Sequence, residues 1–60
     1  MKAHIHYSLG IGGFDGYRTV TLPKYLENSS RKELMTWLQN WIDTHIKGFH
    51  YNLDDWILEE

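Results

Sequence analysis

The sequence predicts a small α+β fold, a β-β-α-β chain whose short antiparallel sheet carries one helix packed on one face. Three observations predict it. Residues 2–9 alternate strictly, with Ala3, Ile5, Tyr7 and Leu9 on one side and Lys2, His4, His6 and Ser8 on the other. That is the period-two signature of a half-buried strand. Residues 17–22 are rich in β-branched and aromatic types and read as a returning strand. From Ser30 to Lys47, the apolar residues Leu34, Met35, Trp37, Leu38, Trp41, Ile42 and Ile46 recur at helical spacing.

The elements follow in order. Between the first two strands lies Gly10–Gly16, a loop with four glycines in seven residues. On the returning strand Val20 and Leu22 face the core, which leaves Tyr17, Thr19 and Thr21 beside His4 and His6. Pro23 ends that strand, because it cannot donate to a sheet ladder. Ser30 with Glu33 three residues on forms a capping box, each side chain satisfying an orphan backbone N–H. Gly48 after Lys47 is the expected C-cap, and the lysine suits the negative end of the helix dipole. Phe49, Tyr51 and Leu53 then alternate against His50 and Asn52. Asp54 and Asp55 read as a turn or bulge before Trp56, Ile57, Leu58 and the acidic end. No repeat, linker or low-complexity stretch appears, so residues 1–60 are expected to form a single domain.

Composition narrows the function classes. A domain of 60 residues buries only about 60% of the surface of its unfolded chain. Small domains add disulfides, a metal or self-association to such a core. The chain has no cysteine, which excludes disulfides and thiolate zinc sites. Eight acidic and six basic residues give a net charge of −2. No basic stripe of a nucleic-acid binder is visible, and the carboxylates are too few to imitate DNA. No apolar run approaches the roughly 20 residues of a membrane span. No signal peptide is read, since Lys2 leads straight into the strand pattern. A soluble protein of the cytoplasm is expected, with no membrane and no nucleic-acid polymer among its partners.

The helix is the element with most surplus. Its apolar residues cover an arc of about 180°, where a surface helix shows a stripe of roughly 100°. Tryptophan and methionine are enriched at interface cores. Met35, Trp37, Trp41, Ile42 and Ile46 are therefore the candidate interface residues of a homo-oligomer, most simply a twofold dimer.

Candidate chemistry is sparse. His4 and His6 share a strand face and could grip one metal ion, but a catalytic zinc needs at least three protein ligands. His45, His50 or a carboxylate would have to supply the rest, and His45 is expected at the centre of the apolar helix face, behind the sheet. His6 and Ser8 match a His-x-Ser element of two-histidine phosphoesterases, which need two copies where this chain has one. No nucleophile elbow, Cys–His pair or P-loop lysine occurs. No catalytic residue, metal or cofactor is assigned, and the protein is expected not to be an enzyme. The glycine loop is the candidate ligand site. Consecutive glycines let backbone N–H groups turn inward as an anion nest. Arg18 supplies charge, and Phe14 and Tyr17 supply surfaces on which a base can stack. Gly10, Gly12, Gly13, Phe14, Tyr17 and Arg18 are the proposed ligand-binding residues. The alternative is a flexible hairpin loop whose glycines adopt positive φ.

The run from Ile5 through His6, Tyr7, Ser8, Leu9, Gly10, Ile11 and Gly12 to Gly13 leads to a β-strand and a helix carrying Trp41 and Ile42. With the ending Asp55, Trp56, Ile57, Leu58, Glu59, Glu60, it resembles small proteins of unknown function encoded by bacteriophages. Members tend to be more acidic before the helix than Pro23 to Leu26 are here, and the resemblance brings no catalytic residues. It implies a phage protein in the cytoplasm of an infected bacterium, acting by binding rather than catalysis. One expected function is to counteract host defence by sequestering a nucleotide-derived immune signal between subunits. The alternative is direct inhibition of a host defence enzyme, such as a CRISPR or other immune effector, by protein–protein contact.

Overall fold

The structure, a computed structural model, describes residues 1–9, 15–46 and 48–59. Strands β1 (Lys2–Ser8) and β2 (Asp15–Thr21) precede a 3₁₀ turn (Lys24–Leu26), helix α1 (Arg31–His45) and strand β3 (Asn52–Glu59). The sheet is antiparallel with order β2-β1-β3, so the N-terminal strand is central. This is the expected small α+β fold with β-β-α-β order.

The alternation of β1 holds as far as Ser8, where the strand ends, and leaves Leu9 beyond it and half-buried. Ala3, Ile5 and Tyr7 are buried, and on β2 Val20 joins them while Tyr17, Thr19 and Thr21 stay exposed. Leu22, Leu26, Leu34, Leu38, Ile42 and Trp56 complete the core, with Leu38 and Ile42 fully enclosed. At Gly16 a Cβ would stand 2.5 Å from Tyr7 Oη. The Tyr7 ring crosses that position and meets Tyr51 edge-on at 5.2 Å, so only glycine fits opposite it.

The helix begins as predicted. Ser30 Oγ accepts from the Glu33 N–H at 3.2 Å. The return arm of the box is different, because the Ser30 hydroxyl itself donates to Glu33 Oε1 at 3.3 Å. The C-terminus falls earlier than expected: α1 stops at His45 with Ile46 as C-cap, its N–H on the Ile42 carbonyl. Gly48, at φ +105°, takes the left-handed backbone that only glycine adopts freely, while Lys47 lies outside the described residues.

Most of the helix surplus is covered within the chain. Leu34, Leu38 and Ile42 are buried, and Trp37, Trp41 and Ile46 are half-buried against the core. The 3₁₀ turn supplies part of the cover, with Trp37 Nε1 donating to Tyr25 Oη at 3.1 Å. Ile42 therefore has no surface to offer a partner. His45 is exposed rather than central: its ring stacks on Trp41 at 4.5 Å, and its Nδ1 lies 3.0 Å from the Trp41 carbonyl. It is the last residue of α1, next to the Ile46 C-cap.

The third strand is also shifted. Phe49 is exposed and outside it, and β3 runs through Asp54 and Asp55 as a bulge, where the register to β1 slips between His6 and Tyr7. Gln39 holds the start of β3 to α1. Its Nε2 donates to the Tyr51 carbonyl and its Oε1 accepts from the Leu53 N–H, both at 2.8 Å. The side-chain amide thus serves those two backbone groups as a neighbouring strand's peptide would. Over Trp56 sits the Arg31 guanidinium, 4.5 Å from the ring centroid. Among the described residues, no helix is long and apolar enough to cross a membrane.

Candidate functional site on the open sheet face

The helix covers one side of the sheet and leaves the other bare. On the bare side the register lines up His4 between Thr19 and Ile57, and His6 between Tyr17 and Asp55. Tyr17 and Ile57 are 72% and 67% exposed. His4, His6, Tyr17, Thr19, Asp55 and Ile57 line a depression of about 340 Å³, at the low end of the roughly 300–1,000 Å³ of small-molecule sites. Two shallower depressions lie along the helix, one beside Met35 and Leu53 and one beside Leu26 and Trp37.

Both histidines are held by carboxylates. His4 Nε2 donates to Glu59 Oε1 at 2.8 Å, and its Nδ1 lies 3.0 Å from Thr19 Oγ1. One imidazole thereby ties β3, β1 and β2 together. The hydrogen bond and charge of His4, and after them the charge of Lys2, hold the Glu59 carboxyl below its ordinary range against the cost of desolvation. His6 Nε2 donates to Asp15 Oδ2 at 2.9 Å while its ring stacks on Tyr17, centroids 4.6 Å apart and planes 14° from parallel. The ring nitrogens that would bind a shared metal are committed to two different carboxylates, and no cluster of three metal-ligating side chains forms among the described residues. The sequence placed His4 and His6 together but gave no sign that Asp15 and Glu59, at opposite ends of the fold's strands, would take them up.

The sequence-predicted ligand residues separate on folding. Gly10, Gly12, Gly13 and Phe14 lie outside the described residues. Tyr17 projects on the open face, opposite His6, whereas Arg18 leaves the strand on the helix side, opposite Ile5. Neighbouring residues of a strand point to opposite faces, so the two do not form one stacked, charged pair. Arg18 Nη1 lies 3.5 Å from the Tyr17 carbonyl, and the residue borders the depression. Of the candidate interface residues, Met35 is 45% exposed and Trp37, Trp41 and Ile46 keep partial exposure.

Comparison with known proteins adds no relative: no family model matches the chain, and neither a curated protein nor a solved structure does.

Proposed function

We propose that this is a non-enzymatic binding protein, encoded by a bacteriophage and directed against host defence, that sequesters a nucleotide-derived signal on its open sheet face. The observation that carries this reading is the exposed Tyr17–His6 stack beside the depression, at the end of the sheet where residues 10–14 join β1 to β2. Aromatic platforms bind bases at about 1–3 kcal/mol each, and the glycines between the strands would supply N–H groups for phosphate. A depression of about 340 Å³ suits one base better than a whole dinucleotide, which fits capture by more than one subunit.

One observation favours the second reading, an inhibitor that docks on a host defence protein. Asp15, Asp55 and Glu59 share the open face with Lys2, so three carboxylates stand there against one ammonium. Such a face attracts a basic protein surface and repels a phosphate that lacks its own cationic partner.

A thermal-shift series with cyclic dinucleotides, ADP-ribose derivatives and mononucleotides separates the two. Sequestration predicts about 2.7 kcal/mol of stabilisation at 100 times the dissociation constant, a shift of several degrees in so small a domain, with the nucleotide recovered intact by chromatography. No shift with any of them, together with a stoichiometric host protein that dissociates at high salt, selects the inhibitor. Product in the chromatogram, lost in His6→Ala, overturns both.

A further inference from the structure

The two edges of the sheet are not equivalent. The Leu22 N–H bonds the Met1 carbonyl at 2.9 Å, one position beyond the Lys2–Thr21 pair that ends the β1–β2 register. Antiparallel pairs alternate between hydrogen-bonded and non-bonded, so Val20, Arg18 and Gly16 also turn their backbone groups toward β1. Tyr17, Thr19 and Thr21 turn theirs outward. By the same alternation β1 uses Lys2, His4 and His6 toward β3, which leaves Leu53, Trp56 and Leu58 facing out on the far edge.

That far edge is blocked from Tyr51 to Trp56. Gln39 takes the Tyr51 carbonyl and the Leu53 N–H, the Trp56 N–H is capped by Asp55 Oδ1 at 2.9 Å, and the bulge bends the strand. These are the devices by which proteins prevent edge-to-edge association. The β2 edge has none of them. It is seven residues long and free of proline, with no break in its register to β1. Among the described residues, the hydrogen bond to its outward backbone is the 3.5 Å contact of Arg18 with the Tyr17 carbonyl.

We propose that β2 is the assembly edge of this protein and that its occupant is β2 of a second copy, paired antiparallel about a twofold axis at Thr19. A twofold normal to the sheet keeps the open faces on one side, so residues of the same face must meet. With the axis at Thr19, Thr19 opposes its own copy and Tyr17 opposes Thr21 of the second copy, an aromatic–β-branched pair of the favourable kind. An axis at Arg18 would oppose two guanidinium side chains at the closer, non-bonded spacing, which is unfavourable. The axis at Thr19 sets Arg18 against Val20 of the second copy instead. The result is one six-stranded sheet whose two depressions meet at Tyr17 and Thr19. The second copy completes the site, and in this the inference deepens the sequestration reading and rests on it. The pairing itself does not need a nucleotide.

The tests are therefore made without ligand. Sedimentation equilibrium of the intact chain should give a dimer, and hydrogen exchange should protect the Tyr17, Thr19 and Thr21 amides in step with dimer content. Thr19→Pro removes an outward N–H, a placement edge strands accept, together with the exposed hydroxyl on His4 Nδ1, and should yield a folded monomer by circular dichroism. If that variant does not fold, Thr19→Cys decides. A hydrogen-bonded pair sets Cα atoms about 5.5 Å apart, within disulfide reach, so mild oxidation should trap a covalent dimer while Tyr25→Cys does not. A monomer at all concentrations, fast exchange of these amides in the dimer, a dimer that survives Thr19→Pro, or no cross-link through Cys at position 19 each overturns the proposal. A dimer that passes these tests and shifts with no nucleotide leaves the edge standing and removes the sequestration reading alone.

Discussion

Single side chains on the open face do more than their exposure suggests, and Glu59 is the clearest case. Its carboxyl is held below the ordinary carboxylate range chiefly by the His4 hydrogen bond. A depressed carboxylate contributes stability that is present above its unfolded value and lost as pH falls through its folded value. The stabilising effect therefore fades on the acid side of the ordinary glutamate range, where protonated Glu59 no longer accepts from His4 as a carboxylate. Carboxyl NMR across an acid titration should place the Glu59 midpoint below that of an unpaired glutamate. His4→Ala should return it to the ordinary range; an unchanged midpoint in His4→Ala would assign the shift elsewhere. Because the pair is exposed, its worth shrinks in salt. The alternation put His4 on this face, but no local pattern ties position 4 to position 59, so the pairing was not legible in the sequence.

The elements divide into those that periodicity fixes and those that tertiary contact fixes. The β1 alternation and the Ser30 cap were readable because each depends on neighbours in sequence. The 3₁₀ turn was not, since three residues carry no period, yet it buries Leu26 and covers Trp37 through Tyr25. The start of β3 was misplaced for a related reason. Phe49, Tyr51 and Leu53 alternate like a strand, but the sheet takes up the chain only at Asn52, where Gln39 can reach Tyr51 and Leu53. A glutamine on a helix face gives no hint of that role. Gln39→Ala should expose the role directly. It leaves a partly buried N–H and C=O without their partners, at a cost of about 1–3 kcal/mol for an unsatisfied buried group. Chemical denaturation should register that loss, and the Leu53 amide should exchange faster than its neighbours on β3. Wild-type protection at Leu53 would show that the clamp is dispensable.

At the scale of the whole molecule, the question is which surface a chain of 60 residues gives to assembly. The helix was the natural candidate from sequence, because its apolar arc exceeds what one sheet covers. Folding removes much of that argument. Ile42 is fully enclosed, Trp37 is covered in part by the 3₁₀ turn, and Trp41 is stacked under His45. What remains along the helix is Met35, 45% exposed, on one flank and the partial exposure of Trp37, Trp41 and Ile46, the scattered apolar surface that monomers also carry. The β2 edge differs in kind, since its outward amides and carbonyls are directional and repeat along the strand. Met35→Glu discriminates the two. If subunits met through the helix, a carboxylate there would be desolvated without a partner and the assembly would dissociate. Assembly through β2 predicts the opposite. Met35→Glu should sediment at the wild-type mass and keep wild-type protection at Tyr17, Thr19 and Thr21. A monomer from Met35→Glu, with those amides exchanging freely before and after the change, would return the interface to the helix.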